Sequence, residues 1–237
     1  MTADTTLSAA DAVFEAEQAV GRARRVVEEL QETIGSALRV LDDAELDSAK
    51  AKLSERGSFY LEAAGEHLGR LHTKCNDMPD LTRDLFVHLN RASQAVTDAR
   101  TLLDLADTSD PVIASEVAQL KPRIAVVGEM VALAKPVAQL AAQHVETAHQ
   151  ASRDVTAMGL LEPVSLERSI ATAGKELGRA DEDVRLLGNV VDHAAASARE
   201  SAGIASEITD NARRRVAEQS RDPVSSPSLA GPRSPGR

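Results

Sequence analysis

The sequence contains very few aromatic residues. It has no tryptophan, one tyrosine (Tyr60) and three phenylalanines among 237 residues. Globular enzymes of this length fill their cores and line their pockets with aromatic side chains. A chain without them has to build a thin core from small aliphatic residues, which suits long helices better than a compact α/β domain. Hydrophobic residues still make up 43% of the chain, which excludes disorder throughout.

Cysteine and the motifs of catalysis are almost absent. Cys75 is the only cysteine, so no internal disulfide and no cysteine metal cage can form. Its spacing from Leu68 and Leu71 predicts a buried small hydrophobe. The chain has no phosphate-binding glycine loop, nucleophile elbow or Cys–His arrangement. We therefore predict a protein that is not an enzyme, with no catalytic, cofactor-binding or metal-binding residues and no cofactor.

A carboxylate-metal helical bundle is the one enzymatic alternative. Such bundles need Glu-x-x-His on each of two helices and further inward-facing acids. This chain has one such motif, Glu146 and His149, and the heptad phase places it off the apolar side. Asp84 and His88 fit a local ion pair on a helix surface. Two histidine pairs are five residues apart and share no helical face: His67 with His72, and His144 with His149.

The charge balance is acidic, with a formal net charge of −10 and an isoelectric point of about 5.1. An acidic surface repels phosphate backbones and anionic lipids, so we expect no nucleic-acid partner, and the charge argues against a membrane partner. The one basic cluster, Arg213–Arg215, falls near the end of the last helical pattern. Positive charge there complements the helix dipole, and we interpret the cluster as a helix-end feature.

No segment has the sequence pattern of a signal peptide or of a membrane span. Residues 1–12 lack a basic region followed by an apolar stretch. The most apolar segment, Ile124–Ala142, is interrupted by Glu129, Lys135 and Pro136, which favours a packed helix over a spanning one. We therefore predict a cytoplasmic location.

What the sequence has in abundance is a heptad repeat, whose second apolar position is mostly alanine. In the first segment, one set of apolar residues recurs every seven positions: Val13, Val20, Val27, Ile34 and Leu41. A second set lies three or four residues from the first: Ala9, Ala16, Ala23, Leu30, Ala37 and Ala44. This alternation places a narrow apolar stripe along one side of a helix. It predicts an all-α fold, an elongated antiparallel helical bundle or coiled coil of about five long helices.

Breaks in the repeat divide the chain into four predicted parts: a flexible leader at 1–7, a three-helix segment at 8–108, a long helical hairpin at 109–219, and a disordered Pro/Ser-rich tail at 220–237. Turn signals stand at three places: Asn76–Asp80, Ser109–Pro111 with Asp110 as helix cap, and Gly159–Ser165.

Three local questions stay open at this point. Residues 41–47 either form a turn or continue as one bent helix. The heptad phase slips at Gly57–Tyr60, which indicates an irregularity or a change of packing partner. Pro122 and Pro136 share one outward heptad position while the apolar phase continues across them, which favours one long kinked helix over three short ones.

The heptad repeat indicates that helices pack together, and it does not indicate any substrate. We predict a non-enzymatic protein-interaction or scaffolding module with an unidentified protein partner or self-association, and no small-molecule substrate. The alternative is a membrane-active or hydrophobic-surface protein, of the pore-forming or granule-coating type, that uses Ile124–Ala142. That segment is mainly Ala and Val and lacks the Trp, Phe and Leu face of interfacial helices. The carboxylate-metal bundle is the third and weakest hypothesis.

Overall fold

The computed structural model describes residues 2–106, 110–158 and 163–219. These residues form five α-helices: α1 (Thr2–Leu53), α2 (Gly57–Cys75), α3 (Met78–Asp104), α4 (Pro111–Met158) and α5 (Pro163–Gln219). The fold is the predicted all-α, elongated, antiparallel bundle. At 1.5 Å per residue, the 48 residues of α4 span about 70 Å. The predicted tail at 220–237 lies outside the described residues.

The helices pack as four rods around one core, because α2 and α3 follow one another end to end and together form one rod. α1 packs against α5 on one side and against α2 and α3 on the other, and α4 does the same. Ion pairs show the antiparallel order of neighbours: Arg24 with Asp192, Lys52 with Glu167, and Arg91 with Glu15. Each rod therefore buries its heptad stripe against two antiparallel neighbours.

α1 is continuous from Thr2 to Leu53, so the turn considered at residues 41–47 is absent and the chain continues there as one helix. Asp47 is compatible with a helix because it pairs with Lys50 one turn later, at 2.8 Å. The predicted loose leader is also wrong over residues 2–7. Thr6 lies seven residues before Val13 and is 3% exposed, so the buried stripe extends into this segment.

The chain first reverses at Ser54–Arg56, beside the slip in the heptad phase. Gly57 opens α2 directly against the end of α1, and a Cβ at this position would lie 2.8 Å from the backbone oxygen of Ala51. Only glycine allows so close an approach without a backbone shift. The phase slip therefore marks the corner of the first helical hairpin.

The expected turn at Asn76–Asp80 is an interruption within one rod. Asn76 and Asp77 both have right-handed helical backbone angles. Pro79 lacks an N–H group, so the helical ladder breaks here while the chain keeps its direction. Sequence reasoning took Pro and Asn/Asp as a reversal, but the apolar stripe continues from Cys75 to Met78, both fully buried.

α4 begins and continues as the sequence predicts. The Asp110 carboxylate accepts a hydrogen bond from the backbone N–H of Val112 at 2.7 Å, and Pro111 is the first helical residue. Pro122 and Pro136 lie inside this single helix. Both are exposed, as their shared outward heptad position requires.

α5 starts at Pro163 and ends at Gln219. Of the predicted turn at Gly159–Ser165, residues 159–162 lie outside the described part of the chain. Arg213–Arg215 do not form the end of this helix, because its last turn follows them. They lie in the turn before it, near the end of the helix as the sequence predicts.

Candidate functional site

Histidines occupy three contacts between helices: in two of them the ring faces carboxylates, and in the remaining contact one histidine stacks on another. At the contact of α4 with α5, His144 Nδ1 lies 2.6 Å from Glu176 Oε2, and His144 Nε2 lies 3.7 Å from Asp183 Oδ2. These side chains are 24%, 12% and 23% exposed. Two carboxylates thus hold both nitrogens of one half-buried ring, which is an arrangement that orients the ring and binds helix to helix.

A second histidine contact joins α2 to α4. The rings of His72 and His149 stack with centroids 5.3 Å apart and planes 10° apart. His149 Nε2 lies 3.0 Å from Asn76 Oδ1, and His72 Nδ1 lies 3.4 Å from the hydroxyl of the buried Ser152. The stack therefore fastens the end of α2, next to the interruption before α3, onto α4.

Acidification should loosen this contact. Burial lowers the pKa of His72 below its usual 6.5, and the charges of His149 and Arg153 lower it further. Between pH values of about 7.5 and 5.5, His72 therefore takes up a proton more readily in the unfolded chain than in the folded chain. The free energy of unfolding consequently falls as the pH falls through this range. We expect the urea midpoint to decrease over this range, and to decrease less in His72→Gln. An equal decrease in both proteins would contradict this origin.

A third histidine contact joins α1 to α2, where His67 Nε2 lies 3.5 Å from Asp47 Oδ2. The expected ion pair of Asp84 with His88 does not form: His88 Nδ1 is buried without a hydrogen-bond partner in the described part of the protein. Histidines five residues apart do diverge, since His67 contacts α1 and His72 contacts α4.

No group of three or more His, Cys, Asp or Glu side chains in the described ranges is close enough to hold a metal ion. Glu146 is exposed, and its motif partner His149 is engaged with Asn76. Cys75 is fully buried, as predicted. Burial raises the pKa of its thiol to about 11, which keeps the sulfur protonated and unreactive at neutral pH.

α4 carries a second row of residues on its outward side. Six exposed residues alternate at spacings of four and three, and we call them the outer row of α4: Pro122, Val126, Glu129, Leu133, Pro136 and Leu140. The large hydrophobics Val126, Leu133 and Leu140 keep 41%, 54% and 48% of their surface exposed. The opposite side of α4 is buried in the core with the same spacing, for example at Ile124, Val127 and Val131. α4 thus has a core stripe and, on its outward side, a second row at the same spacing with one large hydrophobic residue per heptad.

The two prolines add free hydrogen-bond acceptors beside the outer row. Because Pro122 and Pro136 have no N–H group, the carbonyl oxygens of Ala118 and Ala132, four residues earlier, lose their usual intrahelical donor. Ala118 and Ala132 are both exposed. A molecule that covers the outer row can therefore donate hydrogen bonds at two points along its edge.

Sequence reasoning missed the outer row. Val126, Leu133 and Leu140 are seven residues apart, which is a visible signal, but the same segment also carries the core stripe. With hydrophobic residues on both sides, Ile124–Ala142 was interpreted mainly as core packing, with contact to lipid as the alternative, and not as a contact with a partner protein. Only the bundle geometry separates the two stripes, because it shows which side the other rods cover.

The hydropathy of α4 also reflects this double stripe. By length and composition alone, Pro111–Arg153 is apolar enough to cross a membrane, with a mean hydropathy of 1.5 and 33% of its most apolar window buried in the bundle. A core helix of a soluble protein passes the same test.

The chain matches no protein-family model, and it is similar to no curated protein and to no solved structure.

Proposed function

We propose that this protein is a non-enzymatic interaction or scaffolding module that binds a helical partner protein through the outer row of α4, in the cytoplasm. One observation carries this proposal: Val126, Leu133 and Leu140 are large, exposed and spaced by heptads on a helix whose other side is already buried. A row of exposed large hydrophobic residues along one side of a helix favours an interaction site, whereas a single exposed residue such as Val87 does not.

The contact that this row supports is coiled-coil-like packing. Three–four spacing lets the side chains of one helix fit between those of a partner. The small residues Ala118, Ala125 and Ala132 flank the row on one side and allow a partner helix to approach closely. The rest of the protein supports α4, because α5 packs along one side of it and the rod of α2 and α3 packs along another.

A membrane-active function is the second candidate, and the hydropathy of α4 favours it. Two features of the outer row weigh against it. Glu129 lies in the middle of the row, and the carbonyl oxygens of Ala118 and Ala132 lack their helical donors. In hydrocarbon each of these groups would lose its water without gaining a partner, at a cost of several kcal/mol per group.

Site-specific photocrosslinking tests the proposed function. A benzoylphenylalanine at position 133, on the outer row, is compared with one at position 186 on α5, where Leu186 is similarly exposed at 52%. In living cells we expect covalent adducts with protein from position 133 and few from position 186. Lipid adducts at position 133 would favour the membrane-active function. Equal adducts at both positions, or none at either, would reject the interaction site.

A further inference from the structure

We infer that the partner of the outer row is a basic amphipathic helix, with apolar residues at heptad spacing and a Lys or Arg placed against Glu129. The inference rests on the proposed function and narrows the chemistry of the partner. It follows from the charge and the hydrogen-bond acceptors of the outer row, and from what a second copy of this chain lacks.

Glu129 sets the charge that the partner needs. It is the only ionisable residue in the outer row, and it forms no ion pair or hydrogen bond with the described residues of its own chain. A partner helix that covers Val126 and Leu133 also covers this carboxylate, which lies between them. Removing a carboxylate from water without a partner is strongly unfavourable, whereas a positioned cation offsets most of that penalty.

The acceptors at the edge of the row favour the same kind of partner. The carbonyl oxygens of Ala118 and Ala132 need donors, and Lys and Arg side chains carry only donors. Their long aliphatic stems also cover apolar surface such as Leu133 while the charged end reaches the edge. The net charge of −10 over the whole chain attracts a basic segment before contact is made.

A second copy of this chain does not meet these requirements. Between Ile124 and Gln143 the only base is Lys135, which lies six residues from Glu129 and therefore about 120° around the helix from it. The nearest flanking bases, Lys121 and Arg123, pair with acids on α3 and α5. Two copies joined through their outer rows would bury two Glu129 carboxylates with no cation between them.

Charge reversal at Glu129 tests the inference. The probes are two synthetic helical peptides of about three heptads with leucine at the a and d positions, one with lysine and one with glutamate at the remaining positions. Binding to the full chain is measured by fluorescence anisotropy. We expect Glu129→Lys to weaken binding of the lysine peptide about tenfold and to strengthen binding of the glutamate peptide. Glu66→Lys, an equal charge change on the exposed surface of α2, should change either affinity less than about twofold.

Each outcome decides one point. Equal effects of Glu129→Lys and Glu66→Lys would show non-specific attraction to an acidic protein and overturn the inference. If Leu133→Gln weakens binding of both peptides and Glu129→Lys does not, apolar docking on the outer row stands and the basic partner is wrong. If neither variant changes binding, the outer row is no binding surface and the proposed function fails as well. A dimer in light scattering that Leu133→Gln dissociates would identify the occupant as a second copy and also overturn the inference.

Discussion

Replacing Leu177 by alanine is expected to lower the free energy of unfolding by about 2–5 kcal/mol. Leu177 is fully buried on α5, and the core around it is built mostly from Ala, Val and Leu. These side chains are short and belong to long rods, so they cannot move inward to fill the space that the lost atoms leave. We expect a lower urea midpoint with an unchanged denaturant slope.

Leu186 on the same helix provides the matched control. It is 52% exposed, so Leu186→Ala removes the same atoms from a site that is already in contact with water. Leucine and alanine have similar helix propensities, and we expect a change within about 0.5 kcal/mol. If Leu177→Ala and Leu186→Ala lowered the free energy of unfolding equally, Leu177 would not lie on the buried side of α5.

A combined Gly→Ala replacement at four helical positions should stabilise the protein by about 2–4 kcal/mol. The positions are Gly21, Gly69, Gly178 and Gly203, where an added Cβ would have no neighbouring atom within 4 Å. Glycine inside a helix costs about 0.5–1 kcal/mol relative to alanine, because it loses more backbone freedom on folding. The gains should add if the sites are independent, which the four single variants check by thermal and urea unfolding.

Gly174 and Gly128 serve as the opposite case. An added Cβ would lie 2.9 Å from Leu41 Cδ2 at Gly174 and 3.0 Å from Val96 Cγ1 at Gly128. These contacts are inside the bundle, where α5 approaches α1 and α4 approaches α3. We expect Gly174→Ala to give no gain or a loss, since the helix propensity is offset by the forced shift of Leu41. A gain equal to that at the four open positions would contradict the close approach of these helices.

The heptad pattern predicted the fold correctly because long helices need only a periodic apolar stripe and neighbours to cover it. It failed at local breaks, where two signals competed. The acids at residues 42–47 were weighed as a turn although no proline or glycine interrupts the helix there. Pro79 was taken as a reversal, while the continuing stripe from Cys75 to Met78 kept the chain in one rod.

The candidate site was harder to predict than the fold for a physical reason. An apolar residue has the same effect on a sequence pattern whether it faces the core or a partner. Val126, Leu133 and Leu140 could be assigned to the outside only after the other rods had been placed against the opposite side of α4. The contact of His144 with Glu176 and Asp183 was likewise invisible, because it joins residues that are more than 30 positions apart.

The position of α5 in the bundle has a consequence for synthesis of the protein. α5 covers both α1 and α4, and its contact with α1 joins residues that are distant in the sequence, for example Gln31 and Val184, which are separated by 153 positions. During translation, α1 therefore leaves the ribosome long before the helix that covers it. In that interval the hydrophobic stripes of α1 and α4 are open to chaperones and to neighbouring nascent chains. The α5 helix of another copy on the same polyribosome can then take the place of this chain's own α5. The order of synthesis therefore exposes this topology to domain swapping of α5 between copies.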